Sequence, residues 1–331
     1  DQHSPRNRTA MLFWAGALAA TIPMLAVYLN GLWKVEHYQF FPLVFAFVIG
    51  LAASRFDGQF NLPRGTLAYV VISFALILIA FSAAIFSPWF TAVGFVLIVA
   101  CLLATLKESS GQSLVVLVLP LVSLVRLPLN FDNLLITGLQ GYTSRLASWF
   151  LDIAAVPHMV SGNIIELVDR DLFVAEACSG IQSVFTLVFL SSMILAYRRR
   201  PLWLAPGYWA VALLIAVLGN SFRVATISAA ASLGVDWATG MSHAWVGYVA
   251  LAISFMLLIS FDQCIDLVIH PIEGFVLEAD NWTNPLIRRW DRYVIGACGQ
   301  TAKPNAPVGP AMNSLDVAEP ALAVEVHSQS L

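Results

Sequence analysis

Apolar runs separated by short polar breaks organise residues 11 to 261 of this chain. A helix needs about 20 mainly apolar residues to cross the hydrocarbon layer of a bilayer. Met11 to Leu29, Leu67 to Phe86, Trp89 to Leu106, Ile181 to Tyr197, Leu202 to Gly219 and His243 to Phe261 are runs of this kind. Phe40 to Ala53 is shorter, and Leu114 to Val125 shorter still unless it begins before Gln112 or runs through Pro128. The pattern predicts an all-α, polytopic membrane bundle of about eight transmembrane helices. Met11 to Leu29 is long enough to span and precedes no clear small-residue cleavage site, so it reads as a first transmembrane helix rather than a signal peptide.

Two stretches break the pattern. Leu127 to Ala177 is semi-polar with an amphipathic middle from Leu134 to Phe150, which predicts an external cap against the bilayer surface. Val224 to Gly234 is rich in Ala and Ser and too short to cross, so it is expected to dip in or lie flat, covered by protein, because irregular backbone is forbidden against lipid. The membrane domain is therefore placed at 1–261. A membrane-proximal cytoplasmic segment is expected at 262–298 and a disordered tail, rich in Ala, Pro, Asn and Ser, at 299–331.

Composition agrees. The chain is 59% hydrophobic and 11% charged, with a mean hydropathy of +0.79, whereas soluble domains carry about 25% charged residues. Lipid is the main solvent. The net charge of -3 offers no basic surface, so no nucleic acid partner is expected. Cys101, Cys178, Cys264 and Cys298 are far apart and form no CxxC pair, so neither a zinc site nor a redox motif is suggested, and no metal or cofactor is expected.

Positive charge in short loops sets orientation. Arg6 and Arg8, Arg55 and Arg64, Lys107, and Arg198 to Arg200 all fall on one side by counting spans, and that side is expected to be cytoplasmic together with both termini.

Three polar residues then fall at the opposite face. Cys178, in Glu176-Ala177-Cys178-Ser179-Gly180-Ile181, sits at the N-terminal end of the sixth run, where the helix dipole and free backbone N–H groups favour thiolate. Buried free cysteine is also often a small hydrophobe, the reading given to Cys101, Cys264 and Cys298. Arg223, after Asn220-Ser221-Phe222, could snorkel to headgroups or hold an oxyanion or carboxylate, with Asn220 positioning it. His243 begins the last run and could be an interfacial polar residue or a proton carrier. Together they suit a thiolate nucleophile, an anion stabiliser and a proton carrier. Glu176 could orient a base or cap the helix start, and Asp169, Arg170 and Asp171 form a solvated charge cluster. There is no HExxH, GxSxG, Walker loop or GxGxxG, so metalloprotease, serine hydrolase and nucleotide-driven chemistry lack support.

These segments, with Leu119-Pro120, Pro128-Leu129 and Leu139-Gln140, resemble the exosortase and archaeosortase family over roughly residues 114 to 255. The resemblance implies a cysteine transpeptidase of the bacterial inner membrane. Its partners would be membrane-anchored exported proteins carrying a C-terminal sorting signal: a Pro-Glu-Pro type motif, a transmembrane helix and a basic cluster. It further implies Cys178 as nucleophile, Arg223 as oxyanion or substrate stabiliser, and His243 as general acid or base, with a thioester intermediate passed to a lipid, a glycan or water. Ala244 follows His243 where many relatives carry an acidic residue, so Asp236 is the candidate for orienting the imidazole. A multi-pass transporter and a non-catalytic polysaccharide-export assembly factor are the competing readings.

Overall fold

The computed structural model describes residues 5–108, 111–128, 131–168, 170–173 and 180–269. It opens with α1 (Pro5–Ala19) and α2 (Ile22–Trp33), which meet at a 50° bend. Pro23 in the first turn of α2 accounts for the break, since a proline there cannot continue the hydrogen-bond ladder of the preceding helix. A 3-10 turn over Glu36–Tyr38 leads into α3 (Phe41–Arg55), followed by α4 (Thr66–Ile85) and α5 (Pro88–Thr105). Helices α4 and α5 form a tight hairpin. A β-carbon on Gly94 of α5 would meet the Ala75 carbonyl of α4 at 3.0 Å, so a small residue there sets the approach of the two backbones.

The run Leu114–Val125 is not a membrane-crossing helix. It holds one 3-10 turn and the five-residue α6 (Val118–Val122). The Leu114 amide donates to the Leu106 carbonyl at the end of α5, while the Trp89 indole at the start of α5 donates to the Arg126 carbonyl. The segment thus travels the length of α5 as broken backbone. Such backbone is tolerated at membrane depth only inside protein, and Leu114, Leu117, Leu119, Leu121 and Leu124 are all buried.

Beyond it come α7 (Phe131–Ile153), an antiparallel sheet of β1 (His158–Ser161), β2 (Ile164–Leu167) and β3 (Asp171–Phe173), then α8 (Ile181–Tyr197), α9 (Ala205–Ser232) and α10 (Gly240–Ile269). Among the described residues, five helices are long and apolar enough to cross a membrane, or six if the bent pair is one span, and α8 is a shorter apolar helix of 17 residues. The all-α membrane architecture expected from the sequence is present, and the count of eight is not confirmed by this measure. Hydropathy counts an apolar run without sensing whether it forms an unbroken helix.

Two further expectations are corrected. Val224 to Gly234 is no separate dip: α9 continues through it to Ser232, because Asn220, Ser221, Val224, Ala225 and Ser228 all turn inward. A 28-residue helix is about 42 Å long, against about 30 Å of hydrocarbon. α9 therefore carries a shelf beyond the membrane core. The amphipathic segment, now α7, packs its Ile136, Leu139, Thr143, Ala147 and Leu151 stripe against protein, mainly α9, rather than lying on lipid alone. The sheet packs on the same shelf through Ile165 and Leu167. Ser148 of α7 bonds His158 of β1 at 2.7 Å, and His158 Nδ1 bonds the Val156 carbonyl at 2.9 Å.

Four arginines, Arg55 and Arg198 to Arg200, gather at the other end. Arg55 donates to the Ala196 and Tyr197 carbonyls, the final carbonyls of α8. Arg199 pairs with Glu108. Arg198 and Arg200 both pair with Asp262 and Asp266, and the Tyr208 hydroxyl donates to Asp262 at 2.5 Å. The hydrogen bond with Asp262 is the largest influence raising the Arg198 pKa. Helix α10 runs on through Asp262, past the boundary expected for the tail, to Ile269.

Candidate active site

The site lies where the start of α8, the shelf end of α9 and the start of α10 converge. Arg223 points from α9 toward α10. Its guanidinium occupies a notch made by Gly247: a β-carbon there would stand 3.2 Å from Arg223 Cζ and Nη2. His243, one turn earlier on α10, lies 2.7 Å from Arg223 through Nε2. An arginine is only a donor. Nε2 of His243 therefore accepts, which makes the ring neutral with its proton on Nδ1. Among the described residues Arg223 Nε has no hydrogen-bond partner although it is buried. Burying an arginine in a membrane protein is costly and points to a use for its donors.

The third element is held just as closely. Gly180 caps the start of α8 with φ +85, in the left-handed region that glycine adopts without penalty. A β-carbon on Gly180 would meet the Asn220 side chain at 2.9 Å. Asn220 in turn reaches Thr143 of α7 at 3.4 Å. The end of the Cys178-Ser179-Gly180 string is thereby clamped onto α9, one helical turn from Arg223. Cys178 and Glu176 themselves lie outside the described residues.

Around the pair is a pocket of about 240 Å³ lined by Gln182, Ser183 and Thr186 of α8, by Arg223 and His243, and by Gly247 and Tyr248 of α10. Sequence reasoning passed over the α8 contribution. Its signal was present, since Gln182, Ser183 and Thr186 put three polar side chains into the first two turns of a mainly apolar helix. Thr143 carried no such signal, because its role depends on α7 meeting α9.

The remaining candidates sit apart from the pocket. The Asp236 carboxylate accepts from the Ala238 amide at 3.0 Å and from the Thr239 hydroxyl at 3.3 Å, closing the turn before α10. Arg170 and Asp171 lie at the β2–β3 turn, and Asp169 is outside the described residues. Cys101 is half-buried in α5, as a small hydrophobe would be, whereas Cys264 is exposed and so is not the buried hydrophobe expected; Cys298 is outside the described residues. Among the described residues no group of three or more His, Cys, Asp or Glu side chains is placed to hold a metal ion.

The fold and the paired polar side chains define a helical membrane protein with a compact polar site at one end of its bundle. The sequence model of the transmembrane exosortase family matches residues 7–260, which takes in every helix that builds the site. The chain belongs to that family. No curated protein matches it, and no solved structure does.

Proposed function

We propose that this protein is a membrane-embedded cysteine transpeptidase that cleaves the C-terminal sorting signal of exported, membrane-anchored proteins. One observation carries the reading: Arg223 and His243 are hydrogen-bonded in a polar pocket at the start of α8, the helix that Cys178 precedes by three residues. A thiol ahead of a helix N-terminus is biased toward thiolate, and family membership is in keeping with cysteine transpeptidase chemistry.

In this mechanism the Cys178 thiolate attacks the substrate carbonyl carbon, forming a C–S bond and an oxyanion. His243 takes up the thiol proton. As Nε2 becomes protonated it can no longer accept from Arg223, so the guanidinium swings to the oxyanion, where donors act most strongly in a dry site. Collapse of the intermediate breaks the C–N bond, His243 returns the proton to the leaving amine, and a thioester remains. An acceptor nucleophile, a lipid, a glycan or water, then attacks the thioester and gives its proton to His243, and the C–S bond breaks to release the Cys178 thiolate.

The arginine-rich end would face the cytoplasm of a bacterial inner membrane, as the positive-inside rule requires, and the pocket would face outward. Immunoblots of a co-encoded reporter bearing a Pro-Glu-Pro motif, an apolar helix and a basic cluster test the reading. Loss of processing in Cys178→Ala at equal membrane levels is expected. Normal processing in that variant would overturn it.

A further inference from the structure

Along α8 and α10 a second cavity follows the pocket beside Arg223 and His243. On α8 its last residue is Thr186, and Leu190, one turn on, begins a second cavity of about 440 Å³. On α10 the same step runs from Leu251 to Phe255. Leu190, Met193 and Ile194 of α8, Phe255 and Ile259 of α10, and Phe47 of α3 line this second stretch. All α10 lining positions from Ala244 to Asp262 fall within about 120° of arc at 3.6 residues per turn. The two cavities are consecutive stretches of one seam between α8 and α10.

The lining of the seam changes along its length as a membrane crossing does. It is polar at Gln182, Ser183 and Thr186, apolar through Ile194, and polar again at Arg198 and Asp262. From Gln182 to Arg198 the helix rises about 24 Å at 1.5 Å per residue. A lipid tail reaches from one headgroup to the bilayer midplane, about half of the 30 Å core, so it does not match a seam that is polar at both ends. A transmembrane helix does.

Resting on the transpeptidase reading, we propose that the α8–α10 seam seats the apolar transmembrane helix of the protein substrate. The helix lies beside Leu190, Met193, Phe255 and Ile259, and the peptide just outside the membrane enters the pocket of Arg223 and His243. The seam then selects a substrate by whether an apolar helix follows the cleaved bond at the right distance.

The test places a photo-crosslinking amino acid at Met193, Ile259 or Ile253 of the full chain carrying Cys178→Ala, in cells making the reporter described above. Ile253 lies on the opposite side of α10 and is 52% exposed. Reporter adducts from Met193 and Ile259 with few from Ile253 are expected. Equal adducts from all three positions, adducts from Ile253 alone, or only lipid adducts from Met193 and Ile259 overturn the proposal. In the otherwise intact chain Ile259→Trp should lower reporter processing at least tenfold and Ile253→Trp should leave it unchanged; unchanged processing in Ile259→Trp also overturns it. Processing that requires Cys178 but gives no seam adduct refutes the seam alone. Processing that does not require Cys178 refutes the transpeptidase reading first.

Discussion

Asn220 stands so close to Gly180 that a β-carbon on the glycine would lie 2.9 Å from its amide. Gly180 also has φ +85, so an alanine there meets a steric and a conformational obstacle together. The left-handed backbone costs a non-glycine residue about 1–2 kcal/mol, and overpacking adds about 1–3 kcal/mol. Gly180→Ala should therefore lower processing at least tenfold and lower the melting temperature of the detergent-purified protein. Gly138→Ala, on α7 with open space around it, should be neutral or slightly stabilising, since alanine is the better helix former by about 1 kcal/mol. Equal behaviour of the two variants in a melting scan would refute the clamp.

Removing the donors of Arg223 should be severe. A single oxyanion donor is worth about 10²–10³ in rate, so Arg223→Ala should lose at least that much reporter processing at unchanged membrane levels. Arg223→Lys should recover little, because a lysine lacks the planar fork that reaches two acceptors. Gly247→Val should fall between wild type and Arg223→Ala, since its side chain displaces the guanidinium without removing it. A Gly247→Val protein with full activity would show that the notch does not position Arg223.

The arginine-rich end predicts a stability effect separate from activity. Asp262 is paired with Arg198 and Arg200 and accepts from Tyr208. Its side chain is 4% exposed and that of Arg200 8%. Breaking a buried pair from one side costs about 3–5 kcal/mol, so Asp262→Asn should reduce the melting temperature and the amount of protein in the membrane. Arg199→Ala removes a half-exposed side chain from a buried Glu108 and should cost less than Asp262→Asn, whose pair with Arg200 is buried on both sides. A larger loss from Arg199→Ala than from Asp262→Asn would show that the Glu108 pair, and not Asp262, holds this end of the bundle.

The shelf should loosen without unfolding when Ser148 loses its hydroxyl. Ser148 and His158 form a side-chain hydrogen bond between α7 and β1, and a net hydrogen bond is worth about 1 kcal/mol. Ser148→Ala should speed amide hydrogen exchange in β1 and β2 several-fold while leaving α4 and α5 unchanged. Uniform protection across the shelf in the variant would show that the Ser148–His158 bond does not hold the sheet, leaving Ile165 and Leu167 packing and the Asn163–Gln140 hydrogen bond to do so.

Orientation has its own test. Met159 on β1 is 72% exposed and sits on the shelf, at the site end of the bundle. Met159→Cys should react with a membrane-impermeant maleimide in intact spheroplasts. Labelling only after permeabilisation would place the shelf, and the site with it, in the cytoplasm.

The amino-acid sequence by itself determined the class of this protein. Free energy of transfer into lipid is a local sum over side chains, so runs such as Leu67 to Phe86 and Trp89 to Leu106 declare a membrane helix wherever they pack. The segments Asn220 to Arg223 and His243 to Gly247 stood out for the same reason: each is a short string that places polar side chains at the end of an apolar run. The tertiary structure decided what depends on relations between helices. A hydropathy profile reads Asn220, Ser221 and Arg223 as the end of a span, but these side chains turn toward protein, and α9 continues to Ser232. It reads Leu114 to Val125 as a span, but burial among other helices lets that backbone stay broken. Asp236 stands near His243 in sequence, yet its carboxylate is taken by the adjoining turn. The hydrogen bond between Arg223 and His243, twenty residues apart, exists because Gly247 has no side chain to keep α9 and α10 from placing them together. Contact between helices is set by shape and by what is absent, and neither quantity is local in the chain.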